Sequence, residues 1–301
     1  MRIVPLAFES FGVRSMATFI ETNDVKILID PGVSLAPLRY GLAPHFLEWQ
    51  RLEELWEIIR QYTQTAEILV VTHYHYDHHN PECPELYKNK TVFIKHPTEN
   101  INISQRGRAA FFLENIKGAP KKLEIADSKD FKFGNTLIKF SKAVCHGTNP
   151  RLGYVTEVSI KSNNEKFLYT SDVEGPTLEE QINFILEENP DIMFVDGPMT
   201  YMLGYRFSFK SLETANKNLV KAITKTKVHT LVLEHHFLRE LDYKIRIKPV
   251  YDTAKKRNVK VVTAAEFCGR SNELLEALRK ELYAKYGEKE VKVKKRVLVE
   301  E

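Results

Sequence analysis

The chain has 301 residues, of which 43% are apolar, so it can form a packed interior close to the upper size of one core, and we expect a single domain over residues 1–301. A net charge of +4 does not require a nucleic-acid partner, and three cysteines without a CxxC pair argue against a disulfide framework and indicate a reducing, cytoplasmic location. The sequence has no apolar run of roughly eighteen residues, so we expect no membrane span.

Strand-like runs dominate the beginning of the chain. RIVPLAF, SMATFIE and VKILIDPG are rich in β-branched and aromatic residues and predict three strands, the last two joined by a TND turn. The stretch SLAPLRYGLAP, rich in proline and glycine, predicts a loop. HFLEWQRLEELWEIIRQYTQ carries apolar residues at helical spacing and predicts a helix. EILVVT and TVFIK then predict strands, and NISQRGRAAFFLENIKG predicts a second helix.

From residue 121 onward, strands come first and then alternate with helices. The runs KLEIA, FKF, TLIKFSKAV, YVTEVSIK and KFLYTSD predict one strand after another. Helices at PTLEEQINFILEE, SLETANKNLVKAITKT, part of DYKIRIKPVYDTAKKRN, and SNELLEALRKELYAKYG then alternate with strands at DIMFVDG, HTLVLEH and VKVVTA. A charged tail begins at about residue 287. This order predicts an α/β protein with two sheets and with helices on the outside.

The segment HYHYDHHN follows the apolar run ILVVT and concentrates metal-binding side chains. Alternate side chains of an extended segment share a face, so His73 and His75 can point at one ion. A turn after Tyr76 would bring Asp77 and His78 to a second position close by. Imidazole and carboxylate are ligands that suit Zn²⁺, with Mn or Fe as alternatives. The segment therefore predicts a metal site that needs further ligands from elsewhere in the chain.

Those further ligands are available at the ends of other apolar runs. Five strand-like segments each end in one aspartate or histidine, and strand ends are rigid positions from which to build a site. These residues are Asp30, His73, His146, Asp172 and His235.

The remaining histidines have simpler interpretations. We expect His45, His96 and His229 to be capping or surface residues, and the pattern gives His79 no role. His236 competes with His235 as a ligand, and His235 is preferred because it directly ends the strand TLVLE.

These residues resemble the motifs of the metallo-β-lactamase superfamily. HYHYDH is similar to its HxHxDH signature, and LIDPG, CHG, YTSD and LVLEH are similar to its later motifs in the same order. The resemblance runs from about residue 3 to 265 and is strongest to an archaeal branch. It implies a four-layer αββα sandwich with two metal ions at one edge of the sheets. His73, His75 and His146 would hold the first ion, Asp77, His78 and His235 the second, with Asp172 bridging both and Asp30 supporting a ligand.

The resulting hypothesis is a metal-dependent hydrolase with a dinuclear, zinc-type centre, in which Asp77 orients the nucleophile. A phosphodiester or nucleic-acid-type substrate is slightly favoured by the basic net charge and by Arg106 and Arg108 of the QRGR turn. The alternatives are a lactone or thioester hydrolase, a di-iron redox protein and a non-catalytic metal-binding scaffold. Cations and an aromatic near strand ends are candidates for binding an anionic substrate: Arg39, Tyr40, Arg151 and Arg206. The oligomeric state is left open.

Overall fold

The structure is a computed structural model that describes residues 1–289. Most of the predicted charged tail, including KVKKRV, lies outside the described residues. Among the described helices, none combines the length and the apolar character needed to cross a membrane.

The first sheet contains six strands that lie side by side in chain order. They are β1 (Arg2–Phe8), β2 (Met16–Glu21), β3 (Lys26–Ile29), β4 (Ile68–Val71), β5 (Thr91–Ile94) and β6 (Lys122–Ile125). The first three pair antiparallel, with β2 and β3 joined at the predicted TND turn, and β3 to β6 pair parallel. Two helices make the parallel connections, α1 (Phe46–Thr65) between β3 and β4 and α2 (Ile103–Asn115) between β5 and β6.

The second sheet contains seven strands in the order β15-β14-β13-β12-β11-β8-β7. They are β7 (Asp130–Phe133), β8 (Thr136–Phe140), β11 (Val158–Ser162), β12 (Glu165–Tyr169), β13 (Ile192–Asp196), β14 (Thr230–Glu234) and β15 (Lys260–Val262). A separate two-stranded ribbon consists of β9 (Val144–Cys145) and β10 (Tyr154–Val155). The remaining helices are α3 (Glu179–Glu188), α4 (Phe209–Lys225), α5 (Tyr243–Arg246), α6 (Lys248–Arg257), α7 (Ala264–Phe267) and α8 (Arg279–Tyr286).

Alternate side chains of the buried strands pack into two different cores, one between the two sheets and one between a sheet and its helices. In β13, Phe194 packs into the core between the sheets, where its ring centroid lies 5.9 Å from that of Phe8 in β1. Its neighbours Met193 and Val195 point the other way, into a second core with residues of α3, α4 and α6. Side chains of successive strand residues point to opposite faces, so a strand that is apolar throughout must be covered on both sides. The predicted four-layer αββα sandwich is confirmed.

Two predicted strands are each broken by the structure. TLIKFSKAV divides into β8 and β9, and YVTEVSIK divides into β10 and β11. The break lies where the Ser141 amide donates to the Glu157 carbonyl and the Glu157 amide donates to Ser141 Oγ. Beyond this point the chain leaves the sheet and forms the β9–β10 ribbon, in which His146 directly follows β9. The break therefore places a predicted metal ligand outside the sheet plane.

The C-terminal helix is shorter than predicted. SNELLEALRKELYAKYG forms α8 only from Arg279, and the residues before it form turns. The Glu273 amide donates to the Ser10 carbonyl, and Glu276 is buried against Arg14. These tertiary contacts use backbone and side-chain groups that a longer helix would place elsewhere.

The ion pair between Arg14 and Glu276 should stabilise the fold at neutral pH. Arg14 donates to both carboxylate oxygens, with distances of 2.8 and 3.0 Å. Burial opposes the charge of Glu276, but Arg14, helped by two further arginines, lowers the pKa of this carboxyl to about 2. Glu276→Gln should lower the free energy of unfolding at pH 7 by about 3 kcal/mol, because it leaves the buried Arg14 charge without this carboxylate. Urea denaturation measures the change.

The pH dependence of that effect follows from the lowered pKa. The folded-state pKa lies below the ordinary value, so the stabilisation is fully present above about pH 4.5 and is lost as the pH falls toward about 2. The difference between wild type and Glu276→Gln should therefore shrink in acid. The exposed Glu281→Gln should change stability by less than about 0.5 kcal/mol. A difference at Glu276 that stays constant from neutral to acid pH would contradict the assignment.

Candidate metal centre

The predicted site residues meet at one edge of the sandwich. Asp30 follows β3, His73 lies two residues beyond β4, Asp172 lies beyond β12, and His235 follows β14. Strands β3 and β4 are parallel neighbours, and so are β12, β13 and β14, so their carboxyl ends lie at common edges. His146 reaches the same place from the β9–β10 ribbon.

One group of ligand atoms comprises His73, His75, His146 and Asp172, with one atom from each residue lying within 4.8 Å of the others. Nε2 of His146 lies 3.2 Å from Oδ2 of Asp172, and Nε2 of His73 lies 3.5 Å from the same oxygen. All four side chains are buried or nearly so. The structure thus brings together the three histidines that the sequence assigns to one ion.

A second group comprises Asp77, His78, Asp172 and His235, again within 4.8 Å. Nε2 of His78 lies 2.9 Å from Oδ1 of Asp172, and Nε2 of His235 lies 3.3 Å from its Oδ2. The same Nε2 of His235 lies 3.5 Å from Oδ2 of Asp77. Asp172 belongs to both groups, so its carboxylate lies between two potential cation positions.

The loop after β4 takes its shape from a turn and a close approach. The His78 amide donates to the His75 carbonyl at 3.0 Å, which reverses the chain between the two ligand positions. Gly32 lies directly beneath, and a Cβ there would come within 2.3 Å of the His79 backbone nitrogen. Only glycine at this position lets the turn after β3 pack against the histidine loop, which explains the LIDPG sequence.

Asp30 holds that loop in place through its carboxylate. Oδ1 accepts from the Thr72 amide at 2.8 Å, and Oδ2 accepts from the Thr72 hydroxyl at 2.6 Å. Oδ2 also accepts from the Tyr169 hydroxyl and from Nδ1 of His78, each at 2.8 Å. Because Asp30 accepts at Nδ1, Nε2 is the nitrogen of His78 that would lose its proton and face an ion, which is the tautomer that a metal ligand needs.

The other histidines are oriented in the same way by residues that the sequence did not reveal. Nδ1 of His235 lies 2.9 Å from Oε2 of Glu9, and Nδ1 of His146 lies 3.5 Å from Oε1 of Glu174. Nδ1 of His73 lies 3.2 Å from the Ser171 hydroxyl. In each case the outward nitrogen faces an oxygen and the inward Nε2 faces the centre. Glu9 directly follows β1, so the strand-end rule, applied to RIVPLAFE, would have found it.

His236 turns away from the two groups. Its Nδ1 lies 3.0 Å from Oδ2 of Asp196, and its amide donates to Oδ1 of the same carboxylate at 3.1 Å. Asp196 also accepts from the Glu174 amide at 2.7 Å and so ties the loops after β12 and β14 together. Asp196 is the last residue of β13, and the strand end FVDG was the signal that could have revealed it.

The electrostatics of the centre separate the histidines into two kinds. Burial, together with the neighbouring imidazoles, lowers the pKa of His73 to about 4 and that of His75 well below its usual value. Burial also disfavours charge at His146, but Asp172 and Glu174 outweigh it and raise its pKa to about 10. The same balance, with Asp172 as the main counter-charge, raises the pKa of His78 and of His235 well above normal.

The buried polar atoms of the centre fit metal ions. Several buried polar atoms of the centre form no hydrogen bond with the described residues 1–289. They include Nε2 of His73, His78 and His146 and both carboxylate oxygens of Asp172. Buried polar atoms without partners are costly and are rare in folded proteins unless an ion or water satisfies them. Imidazole nitrogen and carboxylate oxygen are the donor set of divalent transition metals, so the residues present fit a pair of such ions.

Arg39 and Tyr40 lie near the second group without touching it. Nη2 of Arg39 donates to the Arg239 carbonyl at 2.8 Å, and its guanidinium lies 4.8 Å from the Tyr201 ring centroid. Nη2 of Arg239 in turn lies 3.3 Å from Nε2 of His235. The Tyr40 hydroxyl instead donates to the Ala277 carbonyl at 3.2 Å. Arg39 is therefore separated from the centre by one residue, and its role in substrate binding stays a prediction.

Arg151 and Arg206 are both exposed. Arg151 lies in the short turn between β9 and β10, and its carbonyl accepts from the Asn102 side chain at the start of α2. Arg206 lies in the turn between β13 and α4. Substrate binding by either arginine stays a prediction.

The remaining histidines have local roles. His45 caps α1 by accepting from the Leu47 amide, and Nδ1 of His96 accepts from the amides of Thr98 and Glu99. Nδ1 of His229 lies 3.0 Å from the hydroxyl of the next residue. His79 packs edge-on against Phe112 of α2, and Nδ1 donates to the His75 carbonyl, so it supports the loop from behind.

The fold and the two ligand groups define a class of protein. A family model described as the β-lactamase superfamily domain matches residues 25–236. A metallo-β-lactamase fold protein, YhfI from Bacillus subtilis, superposes with a TM-score of 0.50 at 16% identity, covering 86% of this chain and 90% of that one. An isothiocyanate hydrolase from Delia radicum gut bacteria gives a TM-score of 0.52 at 13% identity, covering 87% and 95%. At these identities the likeness shows the fold alone.

More similar relatives specify the family. The chain is 53% identical over 288 residues to a UPF0282 protein of Korarchaeum cryptofilum, covering 95% of each chain. It is 48% identical over 289 residues to a UPF0282 protein of Sulfurisphaera tokodaii, covering 95% of this chain and 94% of that one. The chain belongs to the β-lactamase superfamily and, within it, to the UPF0282 family, which confirms the resemblance drawn from its motifs.

Proposed function

We propose that the protein is a metal-dependent hydrolase with two divalent ions, zinc being favoured. His73, His75 and His146 would hold the first ion, and Asp77, His78 and His235 the second. The observation that carries this proposal is the position of Asp172, whose carboxylate contacts imidazoles of both groups. A closed structural zinc site uses four ligands, so seven converging side chains favour a reactive pair over a structural scaffold.

The bound ions would supply Lewis acidity, ionising water near neutral pH and stabilising negative charge on the substrate. The protein's own residues would do the rest. The Asp77 carboxylate, 3.5 Å from Nε2 of His235, would orient the attacking water and accept its proton. Asp30, Glu9 and Glu174 would keep the histidine rings turned with Nε2 inward, so that the geometry is set before substrate binds.

The proposed substrate is an anionic ester, with a phosphodiester slightly favoured over a lactone or thioester. Arginines lie on two sides of the centre: Arg39 and Arg239 beyond His235, and Arg108 over the ring of Tyr76, the residue after His75. Guanidinium groups match the geometry of phosphate oxygens. The free cysteines Cys83, Cys145 and Cys268 agree with a cytoplasmic, reducing location, which we also propose.

A substrate panel tests the reaction. The full chain, loaded with Zn²⁺ or Mn²⁺, is assayed against a generic phosphodiester, a lactone and a thioester. We expect metal-dependent cleavage of the phosphodiester at a higher kcat/KM than of the other two. Cleavage of the lactone or thioester alone would place the protein in the alternative hydrolase class. Iron with a visible absorption band in the purified protein, and no hydrolysis, would support the redox alternative instead.

Metal binding should release protons, because protons occupy the ligands in the metal-free state. The raised pKa values of His78, His146 and His235 keep these imidazoles protonated above the usual pH of histidine titration. An ion must displace those protons, so its apparent affinity should rise as the pH rises from about 6 to about 8.5. Calorimetric titration with Zn²⁺ in buffers of different ionisation enthalpy measures the number released, which we expect to be about three for the pair.

A variant far from the centre provides the control for proton release. His229 is exposed and contacts Thr230, so His229→Ala should leave the proton count unchanged. An affinity that does not change with pH over this range would contradict the assigned ligands.

A further inference from the structure

Among the seven candidate ligands, His75 is the most exposed to solvent. His73, His78, Asp172 and His235 are completely buried, whereas His75 retains 6% exposure. Tyr76, the next residue, is partly exposed. We therefore expect a substrate to approach the centre from the side of His75, and the residues on that side are the ones placed to recognise it.

Helix α2 supplies a cation on this side. The Arg108 guanidinium lies 5.0 Å from the Tyr76 ring centroid, in a cation–π arrangement that fixes its position. Tyr76 directly follows His75 in the chain, so the guanidinium lies close to this ligand. Arg108 therefore lies beside the ligand that is nearest to solvent.

The same helix face carries a second donor. Gln105 is three residues before Arg108, so the two side chains are neighbours on the helix surface. Oε1 of Gln105 accepts from the Tyr154 amide at 3.1 Å, and a Cβ on Gly153 would come within 2.1 Å of that oxygen. The Gly153 carbonyl accepts from the His146 amide at 2.9 Å. Gln105 thus packs tightly against the loop that carries a ligand of the first group.

Both side chains have buried donor atoms that the described residues do not use. Nη1 of Arg108 and Nε2 of Gln105 are buried and, within residues 1–289, donate no hydrogen bond. Gln105 is completely buried, so bulk water does not satisfy its amide. Leaving such donors unpaired costs about 1–3 kcal/mol each, more for a charged group, which is a reason to expect a ligand that supplies acceptors.

We propose that Arg108 and Gln105 form an oxyanion-binding pair that holds a phosphate group of the substrate beside His75 and His146. The inference rests on the proposed hydrolase function and specifies its substrate class. A guanidinium and an amide nitrogen donate to separate oxygens of one phosphate, whereas a neutral lactone offers no charge to Arg108. The pair binds and positions the substrate, and takes no part in moving protons.

Inorganic phosphate is the probe for this pair. It is titrated by calorimetry into the metal-loaded full chain, with acetate as a second arm that offers a planar, singly charged oxyanion. Wild type should bind phosphate more tightly than acetate. Arg108→Gln should weaken phosphate binding roughly 10- to 100-fold, as expected for loss of a charged hydrogen bond. Arg108→Lys should recover part of the loss, because it restores charge without the planar fork.

Two further variants separate binding from folding. Gln105→Glu keeps the oxygen that accepts from Tyr154 but places negative charge where the donor was, so it should weaken phosphate binding at least as much as Arg108→Gln. Arg106 is exposed on another face of α2, so Arg106→Gln should leave the affinity unchanged. If Arg108→Gln does not fold, the phosphate affinities of Arg108→Lys and Gln105→Glu, each compared with wild type, still test whether the pair binds phosphate.

The outcomes for this pair differ from those for the proposed function. Phosphate affinity that is equal in wild type, Arg108→Gln and Gln105→Glu, or is absent in wild type, would overturn the oxyanion pair. Metal content is measured on the same samples. Absence of metal from wild type would contradict the proposed hydrolase. In that case the phosphate affinities of wild type and of the variants, compared on the metal-free chain, would still test Arg108 and Gln105.

Discussion

Replacement of Asp172 by alanine should remove both ions and reduce hydrolysis by about 10³-fold or more. Asp172 is the one carboxylate common to both ligand groups, and its two oxygens lie within 2.9–3.3 Å of Nε2 atoms of His78, His146 and His235. The substitution removes a ligand from each ion and also the negative charge that balances them. Metal per chain, measured by atomic emission, and kcat on the active substrate report the two effects separately.

An exposed aspartate provides the matched control. Asp130 begins β7 and lies on the surface, so Asp130→Ala should retain the wild-type metal content and rate. If the Asp172 variant keeps two ions per chain and the wild-type rate, the carboxylate does not lie between two ions and the proposed centre is wrong.

Asp30→Ala should lower the free energy of unfolding by about 3–5 kcal/mol. Its carboxylate accepts four hydrogen bonds, from the Thr72 amide and hydroxyl, the Tyr169 hydroxyl and Nδ1 of His78. All these groups are buried, so alanine leaves each of them without its acceptor. Metal affinity should fall about 10- to 100-fold as well, because His78 loses the partner that fixes its ring. Urea denaturation and competition with a chelator measure the two losses.

Tyr169→Phe provides a graded comparison for Asp30. It removes one of the four donors and leaves the carboxylate in place, so it should cost only about 1 kcal/mol. A stability of Asp30→Ala within about 1 kcal/mol of wild type would show that the network around β3 and β4 does not depend on this residue.

The sequence predicts the strand ends of the centre because the signal is local. Buried parallel strands are short apolar runs, and a polar residue that follows such a run, like Asp30 after KILI or His235 after TLVLE, must lie at a sheet edge. The HYHYDH segment adds the spacing that separates two ligand groups. The structure brings all seven of the predicted ligands together, and their binding of metal remains the proposal that experiment must decide.

What the sequence could not predict depends on contacts between distant segments. Glu174 is a single acid in the loop after β12, and only the packing of that loop places it behind His146. Glu9 follows a strand end, but its pairing with His235, 226 positions away, depends on the same kind of distant contact. The C-terminal helix begins late because Glu276 pairs with Arg14, 262 positions away. A helical pattern in sequence carries no information about such a partner, so tertiary contacts override it.

The buried, unpaired donor atoms of Gln105 and Arg108 in α2 are a second feature that the sequence could not predict. The periodicity of NISQRGRAAFFLEN identifies the helix, and the QRGR turn marks its basic character. Only the structure shows that the Arg108 guanidinium lies over the ring of Tyr76, next to His75 in the chain, while Arg106 is exposed. The three-residue spacing of Gln105 and Arg108 indicates a binding pair only once the contact of Gln105 with the loop at residues 153–154 is known.

The most direct test of the central claim is a crystal structure of protein purified without chelators, with anomalous data collected above and below the zinc absorption edge. Our account predicts two anomalous peaks, one among His73, His75 and His146, the other among Asp77, His78 and His235, with the Asp172 carboxylate between them. A map without anomalous density at this edge of the sandwich, or with a single ion away from Asp172, would contradict it.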